Sequence, residues 1–299
     1  MRDTPLRGPE LERALDAAMV SRLPFSAAGH GGEALFAELV KHSRLPGTRP
    51  NLELAEAFAA SCASRGARSD ALVTAMVRMD ADRAPGATEL EFLPLCGVYA
   101  AGFRAASDPR ATKMLTLLHD AAEDLRFRVR DAVVVALAKV GAVRGDELVA
   151  QVSDWMDGFF HASAVLRALG SAAWLTRIDD ATGPCELLDA AFRTLDGAAR
   201  SASRYPGFKA LVEAFRAAPA PLALRFGAPV LGVLETFASC KDPDLRALVR
   251  ESIKDPKLTA RFPDDMARLR AAFGATDKPV RDPRSLPRPT RKRGGGRRR

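Results

Sequence analysis

Few residues of this 299-residue chain are placed to do chemistry. The four histidines, His30, His42, His119 and His161, are scattered, and none shares a recognisable motif with a serine, a cysteine or a carboxylate. His119 and His161 lie beside helical core positions and read as structural. The one local grouping is Asp154-Trp155-Met156-Asp157 with Trp174 further on. Trp155 also falls on the apolar face formed by Leu148, Val149, Val152 and Met156, which favours a core role, so no catalytic residue is assigned. Cys62, Cys96, Cys185 and Cys240 are far apart and lack histidines at metal-binding spacing. They read as small buried apolar residues of a reducing compartment, and neither a metal nor a cofactor is expected. Gly29-His30-Gly31-Gly32 has no preceding strand and no following Gly-Lys-Ser/Thr, so it reads as a turn.

Phosphate recognition is better supported, and it sits at one end. Lys278 to Arg299 holds ten of the 45 basic residues and one of the 37 acidic ones, leaving 35 and 36 for the rest. The body is therefore neutral and the tail carries the charge. Within the tail, Arg291, Lys292 and Arg293 are followed by three glycines and then Arg297, Arg298 and Arg299. Arginine forks grip phosphate oxygens, glycine lets the backbone follow a groove, and counterion release adds affinity without sequence reading. With no aromatic residue for base stacking, the tail is expected to attach non-specifically to DNA or RNA. Four prolines and little apolar residue content predict that 278–299 is extended and disordered.

The elements that position these residues are helices throughout. Met114, Leu117, Leu118 and Ala121 share one helix face, and Val129, Val133, Ala136, Leu137 and Val140 share another. Between them runs Asp124-Leu-Arg-Phe-Arg-Val-Arg-Asp131, which returns as Asp244-Leu-Arg-Ala-Leu-Val-Arg-Glu251, three units of 40 residues later. Asp124 falls in the turn, where it can cap the second helix. Ala132, Val134 and Val135 add apolar surface to that helix, which therefore reads as an inner one. Asn51 caps a helix built on Leu54, Ala57, Phe58 and Cys62, and Pro219 with Pro221 reads as an interruption.

The paired helices with a turn aspartate and, six residues on, an arginine preceded by an aliphatic residue resemble the HEAT-like helical repeats. Asp124 with Val129-Arg130 and Asp244 with Val249-Arg250 carry the resemblance, over residues 110–180 and 230–260. It implies a right-handed α-solenoid, in which Asp124, Arg130, Asp244 and Arg250 form a structural ladder, bonded to one another or to neighbouring repeats. More distantly, the chain resembles the DNA alkylation repair glycosylases, solenoids that grip duplex DNA on a basic concave face. That likeness would give Asp154, Asp157 and Trp155 the charge-stabilising roles and Trp174 the stacking role. A body with 35 basic and 36 acidic groups lacks the basicity such a grip uses, although Arg126, Arg128 and Arg130 could form a local stripe.

The expectation is an all-α chain: a HEAT-like α-solenoid over 1–277 and a disordered basic tail over 278–299. Hydrophobic residues at 47% and charged ones at 27% suit a soluble globular protein, and no stretch reads as a membrane span or secretory signal, so a cytoplasmic location is expected. The expected function is a non-enzymatic scaffold that binds an unidentified protein partner, with the tail attached to nucleic acid. The alternative is a DNA-binding solenoid of the glycosylase type.

Overall fold

The computed structural model describes residues 8–20 and 32–276, all of whose regular elements are helices. The loop through His30 and the whole basic tail, including Arg291, Lys292, Arg293, Arg297, Arg298 and Arg299, lie outside the described residues. The first half comprises α1 (Pro9–Val20), α2 (Glu33–Lys41), α3 (Leu52–Arg65), α4 (Asp70–Val77), α5 (Phe92–Ser107), α6 (Thr112–Ala122), α7 (Phe127–Arg144) and α8 (Asp146–Gln151). The second half comprises α9 (Phe159–Leu169), α10 (Ala172–Leu175), α11 (Thr182–Asp196), α12 (Pro206–Ala217), α13 (Pro219–Phe226), α14 (Ala228–Ala238), α15 (Pro243–Ser252), α16 (Pro256–Arg261) and α17 (Pro263–Thr276). Among the described residues no helix is long and apolar enough to cross a membrane.

Local chemistry explains where many helices start. Asn51 accepts the Leu54 amide, Ser171 the Trp174 amide, Asp242 the Asp244 and Leu245 amides, and Asp255 the Lys257 amide. Proline opens α12, α13 and α15, where its missing N–H is no loss and its fixed φ suits the first turn. Pro219 and Pro221 thus begin a helix rather than interrupt the chain, because both fall within its first turn.

The helices pack in sequence order. α5 lies between α3 and α7, α7 is followed by α9, α9 by α12, and α12 by α15. From α9 onward, α9, α12 and α15 touch in series, as do the short helices α10, α13 and α16, and so do α11, α14 and α17. Their first residues, Phe159, Pro206 and Pro243, stand 47 and 37 residues apart. These unequal lengths explain why the repeated motif does not recur every 40 residues. One continuous apolar core runs through the stack from Leu11 to Phe273.

Ion pairs link the early helices. Arg104 of α5 holds Asp70 at the start of α4 at 2.8 Å, and Arg65 of α3 holds Asp16 of α1 at 2.8 Å. Glycines set the closest approaches. A Cβ on Gly102 would stand 2.6 Å from the Ala136 Cβ, and one on Gly141 would stand 2.2 Å from the Trp174 ring. α7 packs between α5 and α9 but keeps a solvent face: Ala132 is buried, Val134 is half-buried, and Val135 and Val143 are exposed.

Candidate functional site

The repeated turn before α7 is built around Arg126, which is 5% exposed. Its Nε and one terminal nitrogen grip the Asp124 carboxylate at 2.8 and 2.6 Å. The remaining donors reach the carbonyls of Met79 at 2.6 Å, Asp80 at 3.2 Å and Ala84 at 2.8 Å. All five guanidinium hydrogens are matched, so a buried charge is tolerated. The expected bond between Asp124 and Arg130 runs through the main chain. Asp124 accepts the Arg126 amide at 2.7 Å rather than capping α7, and its carboxylate pairs with Arg126, not Arg130. Arg130 donates to the main-chain carbonyl of Asp124 and lies over the Phe160 ring of α9, 4.5 Å away.

The second copy repeats part of this design. Arg246 donates to the carbonyls of Cys240 at 2.8 Å and Lys241 at 3.2 Å, so it also gathers the chain before its helix. Arg250 lies over Phe273 of α17 at 4.8 Å, as Arg130 does over Phe160. Asp244 sits inside α15 instead of before it, and its amide donates to Asp242 at 2.7 Å. The third residue of each Asp-Leu-Arg repeat was visible in the sequence, yet nothing in the spacing singled it out from the arginine four residues later.

The tryptophans do not come together. Trp174 is fully buried against Gly141 and donates its indole N–H to the Gly145 carbonyl at 3.1 Å. A ring with no exposed face cannot stack on a nucleobase. Trp155 is 6% exposed, and its edge meets the His119 ring at 4.9 Å. Asp154 is exposed, whereas Asp157 turns towards two histidines.

That histidine grouping was not legible as a motif. His119, in the last turn of α6, stacks on His161, in the first turn of α9, with ring centres 3.8 Å apart. Asp157 bridges them, its Oδ2 3.2 Å from His119 Nε2 and its Oδ1 2.8 Å from His161 Nδ1. His161 Nε2 donates to the His119 carbonyl at 3.1 Å. The Asp157–His161 spacing of four residues was the available signal. His119 joins from the preceding helix pair, which only the packing of α6 on α9 reveals. Among the described residues, these three are the group whose ligand atoms could hold a metal ion, all lying within 4.8 Å of one another.

A second feature is a surface. Leu125 is 85% exposed and Phe127 56% exposed, both in or beside the turn that Arg126 holds. Phe127, Arg130, Val134, Phe160 and Pro206 line a cavity of about 150 Å³ next to them. Tyr205, 47% exposed, touches Phe160 with ring centres 5.7 Å apart. Arg128, over the Phe127 ring at 4.7 Å, pairs with the buried Glu91 at 2.9 Å. Arg126 and Arg128 are thus committed to internal partners, which leaves little for the local basic stripe that Arg126, Arg128 and Arg130 could have formed.

No protein-family model matches the chain, and no curated protein does. Function therefore rests on these local arrangements alone.

Proposed function

We propose that this chain is a non-enzymatic scaffold: a right-handed solenoid of HEAT-like helix units that binds a protein partner and attaches to nucleic acid through its basic tail. The serial packing of like helices from α9 to α17 supports the solenoid. The observation that carries the binding role is the exposure of Leu125 and Phe127 at a turn whose backbone is held rigid by Arg126. Large apolar side chains presented on a fixed frame beside Tyr205 and an arginine have the composition of an interface core. A rigid turn loses little entropy when a partner covers it. The glycosylase reading gains no support, since Trp174 has no face to offer and Arg126 and Arg128 are internally paired.

A photo-crosslinking phenylalanine analogue at Phe127 tests the binding surface in the cells that make the protein. One dominant partner adduct, lost when Leu125→Asp is added, is expected. The same adducts from an analogue at exposed Glu147 on α8, or none at Phe127, would overturn it.

A further inference from the structure

We propose that His161 Nδ1, the Asp157 carboxylate and His119 Nε2 form a binding site for a divalent cation of the zinc class. The His119 carbonyl can only accept a hydrogen bond, so His161 Nε2 carries the hydrogen that faces it at 3.1 Å. This is the outer bond that fixes the tautomer of many metal-ligating histidines and leaves the other nitrogen as the donor atom. In a neutral ring, that nitrogen, Nδ1, and the Asp157 Oδ1 are two lone-pair atoms facing each other at 2.8 Å. Only a cation between them closes the gap, either a proton or a metal ion.

Gly158 clears space at the donor atom. A Cβ there would stand 2.9 Å from His161 Nδ1 and 3.4 Å from Glu123 Oε1, so a second carboxylate borders the same gap. Zinc holds nitrogen and oxygen donors at about 2.0 to 2.2 Å in a tetrahedron, which sets neighbouring donors about 3.3 Å apart. The 2.8 and 3.2 Å separations across Asp157 are close to that spacing. The 3.8 Å ring stack is not a ligating geometry for both histidines, because an ion in the plane of one ring lies off the plane of the other. Binding therefore turns the half-buried His119 about its Cβ–Cγ bond and moves its ring relative to the Trp155 edge. Half-exposed Asp157 leaves room for water in the remaining positions.

The test uses the full chain without an affinity tag at neutral pH. Zinc is titrated by calorimetry, cobalt by its visible absorption, and tryptophan fluorescence is followed with zinc, which does not quench. One equivalent binding at micromolar affinity or tighter is expected, with a tetrahedral or five-coordinate cobalt spectrum and a saturable change in tryptophan emission. Asp157→Asn and His119→Gln, both at partly exposed positions, should each weaken binding by at least about tenfold. Absence of micromolar binding would mean that a proton occupies the gap and would overturn the assignment. So would equal affinity in Asp157→Asn, or zinc binding without any change in tryptophan emission.

Discussion

Arg126 shows how one side chain can organise a turn. Its five donors are all used, three of them on carbonyls between Met79 and Ala84, so it ties the segment before α5 to the start of α7. Arg126→Ala would strand the Asp124 carboxylate and three carbonyls, and is expected to destabilise the fold by about 3 kcal/mol in denaturant unfolding. A loss below about 0.5 kcal/mol, the range of an ordinary surface change, would contradict the role assigned to it. The sequence exposed the repeat but not the arginine that holds the Asp124 carboxylate, because residue spacing does not tell which of three guanidiniums folds back on its own turn. The cysteines divide similarly. Cys62 and Cys96 are buried as expected, while Cys185 and Cys240 are half-buried. Burial pushes the Cys62 thiol from its ordinary value of 9.0 up to about 12 and the Cys96 thiol well above 9.0. Between these limits the unfolded chain releases protons that the folded chain keeps. Stability should therefore fall as pH rises above 9, by about 1.4 kcal/mol per pH unit for each such thiol. Alkaline melts of Cys62→Ala and the parent chain check this, and parallel pH profiles would contradict it.

At the scale of elements, the helices were largely legible because their apolar residues recur with a 3.6-residue period and their caps are local. Asn51, Asp242 and Asp255 all cap helices through their side chains. The close approaches were not legible, since they depend on which helices become neighbours. Gly141 is read from the sequence as one more residue of α7, yet the Trp174 ring of α10 occupies the place of its Cβ. Gly141→Ala must displace a fully buried indole and its bond to the Gly145 carbonyl. It is expected to lower stability by at least about 1 to 3 kcal/mol, the usual range for overpacking. Thermal melts would show this, whereas the higher helix propensity of alanine alone would raise the melting temperature. The solvent face of α7 was likewise hidden: Val135 and Val143 look like core residues until the helix finds its neighbours.

Across the described residues, the serially packed helices α9, α12 and α15 begin at unequal intervals, so the motif written clearly at Asp124 and Asp244 has no regular period between them. The histidine–aspartate grouping arises from that same stacking, since α6 brings His119 to α9. The charge division is the property most directly written in the sequence: ten basic residues and one acid from Lys278 onward, beside a body with 35 and 36. In the scaffold account, therefore, nucleic-acid affinity belongs to the tail and the body contributes none. The decisive measurement is the binding of labelled duplex DNA, single-stranded DNA and RNA across a salt series. It compares the full chain with one in which Arg291, Lys292, Arg293, Arg297, Arg298 and Arg299 are all serine. Each phosphate neutralised contributes about 0.7 to 0.9 to the slope of log affinity against log salt. The account predicts sequence-independent binding with a steep slope for the parent and a loss of most of both affinity and slope in the variant. Duplex binding that survives the six substitutions with its slope unchanged would place the nucleic-acid site on the body and contradict the account.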